Sequence, residues 1–310
     1  MNELKLLNQK QIKVNELITL FILSQDVAVT SKKQYENSLR RYFAWVDNKG
    51  YELNNMTRIE ILEYKQDLLK TGMSSLTVGA YLCACRKFYE YAESSKLYPN
   101  IAKGIKSPKR KNAFRKSALT IDQGKELLSY FKTQSLRDYA IINLLLRTGL
   151  RTIEVIRANA EDIKIKSGQR VLMIQGKGWD DKDAFVCLTD ACFKAISDYL
   201  LTRGRVMGNK PLFACNSNNN KQGRLTPNTI SYIVKAGLRA INLNDRSLSA
   251  HSLRHTCAVN ILRSGGSLQD CQNVLRHLSS VTTQLYVSSL NESKRLENPA
   301  ENLLDKVYED

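Results

Sequence analysis

Histidine is scarce in this chain of 310 residues. Only three histidines occur, and all of them lie between His251 and His277, with Tyr286 nine residues further on. Histidine is the side chain whose unperturbed pKa lies near neutral pH, so it is the usual carrier of protons in active sites. The distribution indicates that the segment from residue 251 to residue 286 carries the chemistry of the protein.

Several other signals are missing. The amino-terminal residues contain no apolar core of the signal-peptide kind, and no segment is apolar over the length of a membrane span. The seven cysteines form no CxxC pair, which excludes the usual zinc and disulfide frameworks. No internal repeat and no low-complexity tract is present. These absences predict a cytoplasmic protein with free thiols and no membrane partner.

Acidic residues are outnumbered. The chain has 47 Lys and Arg residues against 30 Asp and Glu residues, a formal net charge of +17. This excess predicts attraction to a polyanion through salt-sensitive phosphate contacts. Charge alone leaves open that the protein is simply a basic soluble one. The 43% hydrophobic content is enough for real cores, and the length predicts about two domains.

The pattern of residues divides the chain into four parts. Residues 1–102 predict a small helical domain, and residues 103–116 are a linker with seven basic and no acidic residues. Residues 117–298 predict a second, mainly helical domain with a small antiparallel sheet. Residues 299–310 predict a short terminal helix, whose apolar side chains must dock either on its own domain or on a neighbouring subunit. The fold class is therefore α+β, mainly α.

Cap residues and apolar runs locate the main elements. Helix starts are predicted at Thr30, at Thr57 with Glu60, at Thr120 with Gln123, and at Ser267 with Asp270. Two β-rich runs, residues 170–175 and 184–188, predict a hairpin with Gly176, Lys177 and Gly178 near its tip.

Basic residues are concentrated on the helices of the first domain and in the linker. They predict a DNA-facing surface, although helix surfaces are also commonly lysine-rich for solubility alone. The candidates are Lys32, Lys33, Arg40, Arg41, Arg86, Lys87, Lys109, Arg110, Lys111, Arg115 and Lys116.

Two motifs place arginines where they can meet an anion. In the motif from Thr148 to Glu154, Gly149 permits a tight turn, so that Arg151 begins the next helix and its guanidinium and unpaired backbone N–H groups can meet one anion. His251 and Arg254 are three residues apart on a helix and therefore share a face.

A zinc site is the alternative interpretation of the three histidines. His251 and His255 have an i, i+4 spacing, and His277 would be a third ligand. Position 252 is serine, so the glutamate of an HExxH motif is missing, and no carboxylate supplies hydrolytic chemistry. We therefore predict no metal.

These motifs together resemble the tyrosine recombinase/integrase family in order, spacing and position. They are TGLRxxE from Thr148, GKG between two strands, HxLRHT from His251, and a histidine followed nine residues later by Tyr286. The resemblance covers the whole chain and implies a two-domain, C-shaped clamp on DNA. It implies a SAM-like core-binding domain, a catalytic domain, and a terminal helix exchanged between subunits of a homotetramer that holds two duplexes.

The resemblance also implies roles for individual residues. Arg151 and Arg254 would stabilise the non-bridging oxygens of the phosphate, with His277 donating a further hydrogen bond. Tyr286 would attack to give a 3′-phosphotyrosine, assisted by His251, and Lys177 would protonate the departing 5′ oxygen. Glu154 and His255 would support Arg151 and the helix of His251. No cofactor is implied, consistent with the absence of a P-loop.

Three departures from the family pattern stand out. Arg276 replaces the glycine common before His277, Asp180, Asp181 and Asp183 follow the hairpin tip, and the segment before the core-binding domain is too short for an arm-site domain. The leading hypothesis is a site-specific recombinase of Xer-like size, serving a chromosome or a mobile element, with a possible directionality factor. The alternatives are a type IB topoisomerase-like enzyme and a non-catalytic DNA-binding relative.

Overall fold

The structure is a computed structural model that describes residues 14–109, 117–176, 181–204, 206–276, 284, 287, 290–291, 295–296 and 299–308. The contacts within the chain divide it into two compact units, Met1–Asn112 and Ala113–Asp310. Each unit is described by itself.

The first unit is helical. Its α-helices are α1 (Val14–Ser24), α2 (Val29–Asn48), α3 (Arg58–Lys70) and α4 (Ser75–Ser94), with a 3₁₀ turn at Leu53–Asn55. Helix α2 packs against α1 and α4. The core is rich in aromatic side chains, and in it the Tyr42 and Tyr89 hydroxyls share a hydrogen bond of 2.8 Å. This bond satisfies both buried hydroxyls.

The predicted caps of this unit have different outcomes. The capping box of Thr57 and Glu60 is confirmed at the start of α3. The prediction that Thr30 caps α2 is wrong, because the helix begins at Val29 with Ala28 as its N-cap residue and without a side-chain cap. The Ala28 carbonyl accepts from the backbone N–H groups of Ser31 and Lys32. A side-chain cap contributes only about 1 kcal/mol, which is too little to prevent the helix from beginning two residues earlier.

The second unit contains most of the remaining elements. Its α-helices are α5 (Ile121–Gln134), α6 (Leu136–Thr148), α7 (Thr152–Arg157), α8 (Asp190–Thr202), α9 (Pro227–Ala240), α10 (Ala250–Arg263), α11 (Leu268–Leu275) and α12 (Asn302–Tyr308), with 3₁₀ turns at Ala160–Asp162 and Asn218–Asn220. The capping boxes predicted for Thr120 with Gln123 and for Ser267 with Asp270 are confirmed.

Helix α6 is the central helix of this unit. It packs against α5, α8 and α10, and the side chains that it buries lie on most of its surface. A helix that is apolar nearly all round is expected in the middle of a core. Its carboxyl end at Thr148 leads directly into the Gly149 turn, so the best-packed helix of the unit supports the first predicted site motif.

The sheet has three antiparallel strands, β1 (Ile163–Lys166), β2 (Gln169–Ile174) and β3 (Ala184–Cys187), in the order β1-β2-β3. The β2–β3 pair confirms the predicted hairpin, with Leu172 opposite Val186. Strand β1 is missing from the prediction, because it is short and largely exposed. The signal for β1 in the sequence is the Ser167-Gly168 pair that follows it. Both residues have positive φ in the structure, which suits a two-residue hairpin turn.

Candidate functional site

The Gly149 turn between α6 and α7 is the centre of the site. Gly149 has φ +59° and ψ +24°, and its N–H donates to the Leu145 carbonyl at 3.0 Å. This left-handed conformation favours glycine. A Cβ atom at this position would lie 2.4 Å from Cδ2 of Leu275. The turn therefore needs glycine both for its backbone conformation and for its contact with α11.

Arg151 meets an anion at the start of α7, and that anion is a residue of the protein. The Arg151 backbone N–H donates to Oε2 of Glu154 at 2.6 Å, and its Nη1 donates to Oε1 at 3.0 Å. Glu154 is buried, whereas the Arg151 side chain is about one-third exposed (34%). The guanidinium and the backbone N–H at the start of this helix therefore meet one anion, as predicted, and that anion is the Glu154 carboxylate. The same contact fixes the guanidinium at the end of the turn.

Arg276 reaches the same carboxylate from α11. Its Nη2 lies 3.0 Å from Oε2 of Glu154, and its Nη1 donates to the Val274 carbonyl at 2.6 Å. The backbone of Arg276 has φ +54° and ψ +49°, the left-handed conformation in which glycine is favoured. Burial lowers the pKa of the Arg276 guanidinium, and the Glu154 carboxylate opposes that shift. Arg276 therefore adopts a backbone conformation that glycine takes at lower cost.

Arg254 joins the Gly149 turn to the end of α11. It is buried, with 1% of its surface exposed, and donates from Nη1 to the Gly149 carbonyl and from Nη2 to the Leu275 carbonyl, the latter at 2.6 Å. One of these carbonyls lies two residues before Arg151 in the chain, and the other lies two residues before His277. The Arg254 guanidinium is therefore attached to the backbone close to both residues. A bidentate donor suits two carbonyl groups in this way.

The two histidines of α10 differ in exposure. His251 is exposed in the first turn of the helix, and His255 is fully buried one turn later. Burial, together with the neighbouring His251, lowers the pKa of His255 to about 4. His255 is therefore neutral at pH 7. His251 and Arg254, expected to share a face, lie on the same helix but only His251 is open to solvent.

We expect the second unit to lose stability through His255 as the pH falls. The unfolded chain takes up a proton near pH 6.5, whereas the folded chain does so only near pH 4. Stability is therefore full above pH 6.5 and falls between these values, by about 2 kcal/mol at pH 5. Urea unfolding at pH 7 and pH 5 should show a smaller difference in His255→Gln than in the native chain. Equal differences would contradict this origin.

The described residues on either side of Lys177 are attached to the rest of the second unit. The Gly176 carbonyl accepts from Nη1 of Arg157, the last residue of α7, at 3.0 Å. Beyond the loop, Nζ of Lys182 forms an ion pair with the buried carboxylate of Asp162 at 2.5 Å. Asp181 and Asp183 are exposed. Lys177 and Asp180 lie outside the described residues, but the residue before Lys177 is attached to the helix that Arg151 begins.

His277 and Tyr286 also lie outside the described residues. The described residues near Tyr286, namely Gln284, Val287 and Leu290, are helical. His277 follows Arg276 directly, so the contacts of Arg254 and Arg276 fix the chain up to that point. In the described part of the chain, no group of three His, Cys, Asp or Glu side chains is arranged to hold a metal ion.

The predicted DNA-facing residues of the first unit have mixed surroundings. Arg40 pairs with Glu36 at 2.8 Å and Lys87 with Glu90 at 2.8 Å, contacts typical of a solvated helix surface. The Arg41 guanidinium lies 5.4 Å from the centre of the Tyr81 ring. Lys33 and Tyr81 line an open groove between α2 and α4.

The remaining candidates are placed differently. Lys32 is half-buried, and Arg86 donates to the Ile105 carbonyl at 2.7 Å. Lys109 is exposed. Arg110, Lys111, Arg115 and Lys116 lie outside the described residues. Sequence reasoning missed Thr256, whose hydroxyl accepts from the Leu119 N–H at 2.8 Å and attaches the start of the second unit to α10.

Comparison with protein families matches both units. The phage integrase family matches residues 117–293, and the N-terminal SAM-like domain of phage integrases matches residues 17–96. The tyrosine recombinase XerC of Caldanaerobacter subterraneus subsp. tengcongensis is 36% identical over 214 residues, which are 66% of this chain and 57% of that protein. The tyrosine recombinase XerD of Listeria monocytogenes serotype 4b is 27% identical over 282 residues, covering 88% and 92% of the two chains.

Solved structures with the same fold include complexes with DNA. XerH recombinase bound to its palindromic difH substrate, in a post-cleavage complex, matches with a TM-score of 0.74 and 18% identity over 95% of this chain and 86% of that one. A lambda integrase tetramer bound to a Holliday junction matches with a TM-score of 0.66 and 15% identity over 88% and 76% of the two chains.

Proposed function

Because the chain belongs to the phage integrase family and is a site-specific tyrosine recombinase, a DNA strand-transferring enzyme, we propose that Tyr286 is its nucleophile. The Tyr286 oxygen attacks the scissile phosphorus, the bond from phosphorus to the 5′ oxygen breaks, and a 3′-phosphotyrosine forms. The attack of another 5′-hydroxyl reverses these steps and releases the tyrosine. The bond energy is conserved, so no external energy source is needed for rejoining.

The contact between Arg254 and the Gly149 turn carries this proposal. It brings together two motifs 105 residues apart in the chain, each with an arginine. Arg151 and Arg254 stabilise the charge that develops on the non-bridging oxygens of the phosphate. Because backbone carbonyls and Glu154 already hold both guanidinium groups, little reorganisation is needed as that charge develops.

The other roles concern protons. His251, exposed on the first turn of α10, assists proton removal from Tyr286, and His277 donates a hydrogen bond to the phosphate. Lys177 protonates the departing 5′ oxygen as a general acid. The attachment of Gly176 to Arg157 supports this role, because it fixes the residue directly before Lys177 to α7.

The partner is double-stranded DNA with short core sites. Residues 1–102 are the core-binding domain, residues 103–116 the basic linker and residues 117–298 the catalytic domain. The net charge of +17 supports extensive phosphate contacts. Four subunits hold two duplexes, and the lambda integrase tetramer on a Holliday junction, which has the same fold, supports this assembly. We place the enzyme in the cytoplasm, where it serves a chromosome or a mobile element, with a directionality factor as an optional partner.

Trapping of covalent DNA identifies the site and tests the activity together. The native protein is incubated with sheared genomic DNA, and DNA that stays bound in detergent is sequenced. Supercoiled plasmids with one or two copies of the recovered site are then incubated with the protein. We expect recombination with two sites and none with one. Relaxation of the one-site plasmid without recombination would show a topoisomerase-like enzyme, and the absence of any covalent complex would show a DNA-binding relative.

The terminal helix α12 provides a separate test of assembly. The side chains of Leu303, Leu304 and Val307 are exposed by 64%, 52% and 69%. We propose that a neighbouring subunit covers them, since contacts of this heterologous kind close into rings. Deletion of residues 299–310 is expected to abolish recombination between two sites, while binding and cleavage of a single nicked site stay within about twofold of native. Gel shifts with one and two sites measure the loss of cooperative assembly.

A matched control separates assembly from folding. Leu303→Ser with Leu304→Ser should reproduce the deletion, whereas Leu201→Ser, at an exposed position (79%) of α8, should not. If the deletion lowered the melting temperature markedly while cooperative assembly persisted, the helix would belong to its own domain.

A further inference from the structure

Glu154 has more positive charge around it than a single ion pair requires. Its carboxylate is buried, with the side chain 1% exposed, and receives Arg151 on Oε1 and Arg276 on Oε2. The two arginines come from segments 125 residues apart, since 276 − 151 = 125. One carboxylate therefore connects the Gly149–Arg151 turn with the end of α11, directly before His277.

We propose that Arg276 is a positioning residue, which holds Glu154 and through it keeps the Arg151 guanidinium directed at the scissile phosphate. This inference rests on the role given to Arg151 under the proposed function. Arg276 is not needed to complete the α11 cap, because glycine would adopt its left-handed backbone at lower cost. The side chain itself is therefore what the site retains.

The way in which the two arginines share the oxygens of the Glu154 carboxylate explains how Arg276 directs Arg151. Oε2 accepts from Nη2 of Arg276 and from the Arg151 backbone N–H, and the Arg151 side chain bonds Oε1 alone through Nη1 at 3.0 Å. Without Arg276, a buried carboxylate has one guanidinium to compensate it, and Arg151 is drawn towards both oxygens and away from DNA. With Arg276 in place, the carboxylate is shared, and Arg151 keeps more of its charge for the phosphate.

Single-turnover cleavage of a nicked duplex containing the trapped site measures this role. Arg276→Gly is expected to lower the rate of the folded protein about tenfold. Its melting temperature is measured alongside, because the loss of one partner of the buried Glu154 carboxylate opposes the relief of backbone strain. Arg276→Lys keeps the charge and the backbone strain and should recover part of the rate. Asn242→Gly is the matched control, because Asn242 is also a non-glycine residue with positive φ (60°) in the same unit. It should cleave at the native rate.

The double variant distinguishes positioning from general support of the fold. In an Arg151→Ala background, Arg276→Gly should change the rate by less than about twofold, because the group through which it acts is gone. A methylphosphonate at the scissile position removes the charge of one non-bridging oxygen. The difference in cleavage rate between the native protein and Arg276→Gly should therefore be smaller on that substrate.

Two results would contradict the role of Arg276 while leaving the proposed role of Arg151 intact. One is a native cleavage rate for Arg276→Gly while Arg151→Ala is defective. The other is the same tenfold loss in both the native and the Arg151→Ala backgrounds, on phosphate and methylphosphonate alike. A native rate for Arg151→Ala would instead remove the role of Arg151 on which both proposals depend.

Discussion

Tyr286→Phe is expected to abolish the covalent protein–DNA adduct, with a loss on the order of 10⁴-fold in cleavage. Only the nucleophilic oxygen is removed, so DNA binding should stay within about twofold of the native value. The measurement uses a duplex nicked close to the cleavage point. On it the native enzyme releases the short strand and stays trapped as a slowly migrating adduct.

A matched tyrosine controls for the loss of a hydroxyl in general. Tyr232 is 72% exposed on α9, and Tyr232→Phe should form the adduct at the native rate. An adduct formed by Tyr286→Phe would show that another residue is the nucleophile. Peptide mapping of that adduct would then identify it.

Gly149→Ala is expected to destabilise the second unit by about 2–4 kcal/mol. The left-handed backbone accounts for about 1 kcal/mol of this. The remainder arises because the new methyl group would overlap Cδ2 of Leu275, a fully buried side chain that has to shift. The turn also holds Arg254 through its carbonyl, so the cleavage rate should fall by more than the loss of folded protein explains.

Gly265→Ala separates the two contributions. Gly265 has φ +87° and no neighbouring atom within 4 Å of an added Cβ, so alanine there incurs the backbone cost without the overlap. Urea unfolding of both variants should give a clearly larger loss for Gly149→Ala. Equal losses would show that Leu275 adapts and that packing against α11 contributes little.

Much of the fold was accessible from the sequence because its signals are local. The capping boxes at Thr57, Thr120 and Ser267 depend on residues three positions apart, and all three begin helices in the structure. Strand β1 was not predicted, because four residues with mostly exposed side chains show little alternation of apolar and polar side chains. The cap at Thr30 was predicted wrongly, because Thr30, although of a favoured cap type, lies within the first turn of α2 rather than before it.

The site was accessible only where its residues are close in sequence. Gly149, Arg151 and Glu154 form one motif, and the glycine turn could be predicted from it. The partner of Glu154 could not, because Arg276 is 122 residues away and reaches it only from a left-handed backbone. Nor could the sequence show that Arg254 lies fully buried between two backbone carbonyls while His251, three residues before it, is exposed.

The hydrogen bond from the Leu119 N–H to Thr256 has a consequence for evolution. It attaches the chain to α10 just after the basic segment of residues 103–116. Insertions or deletions in that segment are therefore separated by an attached residue from the helix of His251 and Arg254. The length of the basic segment is therefore open to selection with little change to that helix.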